Sequence, residues 1–103
     1  MTHYNKDSFD QALAEGKLMM VDFWASWCGP CKMLAPVFED LDHQYEGKVV
    51  VGKVNVDEEQ ELAIRYGVMN IPTVIFFQDG REIDRKVGVM PPQAFSQVLD
   101  SRL

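Results

Sequence analysis

The feature that most constrains this chain is the run Leu18-Met19-Met20-Val21-Asp22-Phe23-Trp24-Ala25, apolar at every position but one. A strand with one wet face alternates apolar and polar residues. A run without alternation is covered on both faces, so residues 18–25 predict a central strand with helices on either side of its sheet. Directly behind it stands Trp27-Cys28-Gly29-Pro30-Cys31. From 32 to 45 the apolar residues Met33, Leu34, Val37, Phe38, Leu41 and Tyr45 then recur at helical spacing, with Pro36 removing one backbone donor and predicting a bend. Both cysteines therefore fall where a buried strand turns into a long helix.

The flanking sequence extends this unit. Asp7 and Ser8, with Gln11 three residues after the serine, predict a capped short helix that closes at Gly16. Residues 49–56 are rich in valine and read as a second strand. The acidic stretch 57–61 leads into a short helix over 62–66 that Gly67 closes. Residues 73–78 and 81–87 predict two antiparallel strands joined at Asp79-Gly80, since those residue types tolerate positive φ. Pro91-Pro92 opens a last helix carrying Phe95, Val98 and Leu99. Residues 2–4 are open between a short edge strand and none. The order predicts an α/β sandwich: a central mixed sheet of four to five strands, parallel in its first part and antiparallel in its last, between about four helices. At 103 residues, with no repeat and no linker, one domain over 1–103 is expected.

Charge narrows the partners. A formal net charge of −6 repels phosphate backbones and anionic lipid, so neither nucleic acid nor a membrane surface is an expected partner. No apolar run approaches the ~20 residues of a membrane span. Residues 1–6 are polar and lead straight into a helix, so no export segment is expected there and a cytoplasmic location is.

In a reducing compartment a cysteine pair is more often catalytic or metal-binding than structural. Zinc normally takes four ligands, and the remaining candidates, His3 and His43, show no paired spacing; no metal is expected. At a helix N-terminus the unpaired N–H groups and the macrodipole favour a thiolate, which is the form that attacks a disulfide. Cys28, at the exposed end, is the expected nucleophile. Cys31, one turn further in, is placed to resolve the mixed disulfide. Gly29 admits a partner's backbone and Pro30 restricts the ring, so this pair is expected to set the redox balance.

Asp22 is the second informative residue. A carboxylate inside an apolar strand faces a large desolvation cost and holds its proton tightly, which suits a base near neutral pH acting on Cys31. The spacing equally allows a solvated carboxylate at a ragged strand end. Lys53, in the neighbouring strand pattern, reads either as its charge partner or as a solvated lysine.

In order and separation, Val21-Asp22-Phe23-Trp24-Ala25, Trp27-Cys28-Gly29-Pro30-Cys31-Lys32, Pro36, Lys53, Asp57, Ile71-Pro72-Thr73, Gly80 and Gly88 resemble the thioredoxin family from about residue 7 to residue 103. The resemblance implies a thioredoxin fold and a protein-disulfide reductase serving cell redox homeostasis. It also implies no bound cofactor, electrons drawn from NADPH through a flavin-carrying thioredoxin reductase, and disulfide-containing client proteins. It makes Asp22 the buried proton acceptor. It makes Ile71-Pro72 a cis bond facing the cysteines, with the Ile71 main chain pairing with an extended substrate. Trp27, Ile71, Pro72, Val87, Gly88 and Val89 match the family's substrate-binding rim, although Val87 and Val89 also read as ordinary strand packing. Asn70, where many relatives carry glycine, and Pro91-Pro92 depart from the pattern. Met69 and Met90 read as adaptable rim contacts or as loop packing. A monomer is expected. Two other functions fit the residues: a disulfide oxidase or isomerase on the same fold, and a redox-independent protein-binding module.

Overall fold

Burial on both faces puts the apolar run at the centre of the molecule. The computed structural model describes residues 1–103. It places along them β1 (Thr2–His3), α1 (Lys6–Ala14), β2 (Met19–Trp24), α2 (Gly29–Gln44), β3 (Val50–Asn55), α3 (Gln60–Arg65), β4 (Thr73–Gln78), β5 (Arg81–Val87) and α4 (Pro92–Asp100). The strands form one sheet in the order β1-β3-β2-β4-β5. β3 lies parallel to both β1 and β2, β4 is antiparallel to β2, and β5 is antiparallel to β4. The mixed sheet with four helices agrees with the expected α/β sandwich, and of residues 2–4 the first two, Thr2 and His3, do supply an edge strand.

Alternation along β2 divides the core in two. Met20, with Val51, Val74 and Phe76, packs against Leu34, Phe38 and Leu41 of α2 and Phe95 and Leu99 of α4. Met19, Val21 and Phe23, with Val54, Ile75 and Phe77, pack against Phe9 of α1 and Leu62 of α3. Each fully buried side chain of this size contributes about 1.5–3 kcal/mol relative to exposure, so β2 is pinned from above and below at successive residues.

Local signals explain most element ends. Asp79 (φ 56°) and Gly80 (φ 77°) both take positive φ, the requirement of the tight turn that matches strand twist between β4 and β5. The cap of α1 differs from expectation: Asn5, not Asp7 or Ser8, is the N-cap. Its side chain accepts from the Ser8 N–H at 2.8 Å, and its own N–H donates to Ser8 Oγ at 2.9 Å. Ser8 thus occupies the third helical position, reciprocating the cap. At the opposite edge of the sheet, β5 carries charges of both signs, with Arg85 bonded to Glu82 at 2.6 and 2.7 Å. Between Phe76 and Phe77 the register to β5 slips by one residue.

Gly52 secures the other edge. It lies opposite Thr2 of β1 and Val21 of β2, and a Cβ there would run into the Tyr4 ring and approach the Thr2 carbonyl oxygen at 3.0 Å. Overpacking of this kind costs typically 1–3 kcal/mol. Gly52→Ala is expected to lower the urea midpoint by the equivalent of about 2 kcal/mol with an unchanged slope, readable by circular dichroism.

Candidate active site

β2 ends at Trp24, and four residues carry the chain to α2. The helix begins at Gly29, three residues before the onset expected at Lys32, because Gly29 and Pro30 fill its first turn without any apolar periodicity to announce them. Cys28 is therefore the N-cap residue itself. Its backbone is extended (φ −88°, ψ 110°), and its sulfur accepts from the Cys31 N–H at 3.2 Å. Sulfur here does what a serine or asparagine oxygen does at other helix starts. Cys28 and Cys31 are joined as a disulfide, with Cα atoms 5.3 Å apart. Both residues are buried beside Ala25, with Trp24, Val56 and Ile71 packed around them, so Cys28 lies not at an exposed end but under this packing, only slightly more open than Cys31.

Asp22 lies on the sheet face beneath α2, the face of Met20, and is fully buried with both carboxylate oxygens lacking a hydrogen-bond partner. In register it stands between Lys53 on β3 and Val74 on β4. The alternative of a solvated strand-end carboxylate is therefore ruled out. Burial pushes the Asp22 carboxyl up to about 7, against a smaller opposing pull from Lys53. The ammonium of half-buried Lys53 lies 4.8 Å from the centre of the Trp24 ring, a cation–π contact on the residue level with Asp22.

Around the disulfide the surface is built from distant segments. The Ile71–Pro72 peptide bond is cis, and the Ile71 carbonyl oxygen lies 3.9 Å from Cys28 Sγ. Gly88 (φ 92°) donates its N–H to the Pro72 carbonyl at 2.8 Å, which brings the end of β5 against the same loop. Val87 and Val89 flank Gly88 and are 48% and 45% exposed, so neither is ordinary strand packing. Trp27 is 69% exposed. Thus Trp27, Gly29, Pro30, Ile71, Pro72 and Gly88 gather about the cysteines, with Val87 and Val89 beside Gly88, while Asp22 and Lys53 stand level with each other on neighbouring strands of the sheet.

One residue of the site was not singled out for a role from the sequence. Asp57 Oδ2 accepts the Trp27 indole N–H at 2.8 Å, holding an exposed ring. Asn55 Oδ1 in turn accepts from the N–H groups of Asp57 and Glu58 at 2.9 and 3.3 Å. The available signal was positional: Asn55 ends β3 opposite Trp24, so an Asp two residues later falls beside Trp27. The cysteines line neither of the two cavities. The larger, about 360 Å³, lies between Met1, His3, Glu39, Asp42, His43 and Lys53. An open apolar rim around a sulfur pair suits a protein surface better than an engulfed small molecule.

Fold and site together define a dithiol–disulfide oxidoreductase. The family model for thioredoxin matches residues 1–101. Thioredoxins from several Staphylococcus aureus strains are 50% identical over 95 residues, covering 92% of this chain and 90% of theirs. The solved structure of a mutant thioredoxin from Halobacterium salinarum NRC-1 superimposes with a TM-score of 0.89 at 35% identity, over 97% of this chain and 88% of that one. The chain belongs to the thioredoxin family, and it is a protein-disulfide reductase.

The buried carboxylate has a cost that pH exposes. Below about pH 4 Asp22 is protonated in folded and unfolded states alike. From about 4 to 7 the unfolded chain releases the proton first, so stability falls as pH rises, and above about 7 the loss is complete. A gap of about 3 pK units corresponds to an upper bound of about 4 kcal/mol. Asp22→Asn is accordingly expected to be more stable than the parent disulfide form at pH 8, by up to that amount, with the gain shrinking toward pH 4. Urea titrations at four pH values check this, and a pH-independent difference would contradict it.

Proposed function

We propose that Cys28 is the attacking sulfur, Cys31 the resolving one, and Asp22 the group that takes the proton from Cys31. The observation that carries this reading is the asymmetry at the start of α2, where Cys28 Sγ receives the Cys31 N–H. In the reduced protein that bond and the helix dipole favour negative charge on Cys28. The Cys28 thiolate attacks one sulfur of a client disulfide. The client S–S bond breaks, one client thiolate leaves, and a mixed disulfide forms. Cys31 then gives its proton to ionised Asp22 and attacks Cys28 Sγ. The second client thiolate is released and Cys28–Cys31 closes as the disulfide seen here. The client gains two electrons and the protein loses two.

Asp22 is suited to the transfer because its carboxyl titrates at about 7, where it is neither fully ionised nor fully protonated. Lys53 tunes that carboxyl, and Gly29 and Pro30 tune the sulfur ring. An extended client segment pairs with the Ile71 main chain and lies across Trp27, Pro72, Val87, Gly88 and Val89. Electrons return from NADPH through a thioredoxin reductase, whose flavin does the hydride chemistry, so the chain needs no cofactor of its own. The protein acts as a monomeric single domain in the cytoplasm on disulfide-containing client proteins. No helix is long and apolar enough to cross a membrane.

Three measurements test the assignment. Cys31→Ser is expected to accumulate a client mixed disulfide that Cys28→Ser does not form, seen as a mass increase on non-reducing gels. Asp22→Asn is expected to slow resolution on the order of a hundredfold near pH 7 while sparing the first attack. Equal resolution rates in variant and parent would remove Asp22 from the step. The potential of the Cys28/Cys31 couple, followed by tryptophan fluorescence, is expected below the cytosolic glutathione poise of about −220 to −260 mV. A potential well above that range would make the protein an oxidant or isomerase.

A further inference from the structure

Five of the eight exposed large apolar side chains, Trp27, Met33, Met69, Val87 and Val89, lie on the three segments that frame the disulfide. Two of them are thioethers. Met69 is 89% exposed, the most of any large apolar side chain, and stands two residues before Ile71, whose carbonyl oxygen lies 3.9 Å from Cys28 Sγ. Met33 is 68% exposed on α2, one turn beyond Gly29 and Pro30. The other methionines are less open: Met1 is 41% exposed, Met19 and Met20 are fully buried in the core, and Met90 packs against the cluster beneath α4. The thioethers most open to solvent are thus those on the face that meets clients.

We propose that Met69 is an oxidant-responsive modification site, where a peroxide converts the thioether to a sulfoxide and weakens client docking. The proposal rests on the docking role of the rim argued above. The Met69 sulfur attacks one peroxide oxygen, the S–O bond forms as the O–O bond breaks, and water leaves. The thioether loses two electrons and the peroxide gains them. In the disulfide form no free thiol competes for the oxidant. The product is polar where the rim is apolar, and it leaves the sulfur chemistry of Cys28 and Cys31 untouched. Its signature is therefore a raised KM for protein disulfides without a change in kcat or in the reduction of a small aromatic disulfide that does not need the rim.

The experiment treats the full-length disulfide form with graded hydrogen peroxide on a Met33→Leu background and maps sulfoxides by peptide mass. After the peroxide is removed, kinetics are measured on a protein disulfide and on a small one. Met69 is expected to oxidise before Met90, Met19 and Met20. Complete Met69 sulfoxide is expected to raise KM for the protein disulfide roughly fivefold, the equivalent of about 1 kcal/mol. Adding Met69→Leu should hold KM at that variant's own untreated value through the same treatment. Oxidation of Met69 no faster than of the buried methionines would overturn the proposal, as would an unchanged KM at full conversion or an equal rise in the Met69→Leu protein. Trp27→Ala separates the two levels of the reading. If it raises KM while the sulfoxide does not, the rim stands and the modification falls; if neither raises KM, the rim itself falls.

Discussion

Everything at the site depends on β2 being buried on both faces. Because successive side chains of β2 enter opposite cores, the strand cannot slide by one residue without exchanging its two apolar sets and moving Asp22 from one core to the other. That constraint fixes where Trp24 ends, hence where Cys28 sits, hence which sulfur caps α2. The same constraint puts Asp22, two residues upstream, beneath the helix that carries Cys31. A sulfur pair at a helix start is easily written into a sequence. Holding a carboxylate in register below it requires the rest of the sheet.

The parts of this arrangement legible in the sequence were those encoded by neighbours along the chain. The unbroken apolar run revealed β2, Asp79-Gly80 revealed the β4–β5 turn, and Trp27-Cys28-Gly29-Pro30-Cys31 revealed the chemistry. What escaped was encoded across the chain or by unusual atoms. The onset of α2 carries no sequence signal because its first turn has no apolar repeat and its cap is a sulfur. At α1 the residues Asp7 and Ser8 carry the capping pattern along the chain, whereas the structure uses Asn5 and turns Ser8 into its reciprocal partner. The placement of Lys53 and Asp57 depends on contacts across the chain: register brings Lys53 level with Asp22, and Asp57 accepts the Trp27 indole N–H.

Asp22 shows local stability and reactivity pulling apart. Both its oxygens lack partners, and its neutral form is the one the fold prefers. A valine would fit the pattern of the strand better, and a sequence chosen for stability alone would carry one. The proton transfer proposed for Cys31 gives the carboxylate a reason to be there, and the two large cores are what let the protein tolerate it.

The charged edge of β5 has a different consequence. An exposed strand with free N–H and C=O groups is a template for another chain. On β5, Glu82 and Arg85 are locked to each other and Lys86 lies 3.9 Å from Asp84, so an arriving apolar strand would have to desolvate charges of both signs in order to add to the sheet. Charge on this strand thus sets a desolvation cost against growth of the sheet at its β5 edge.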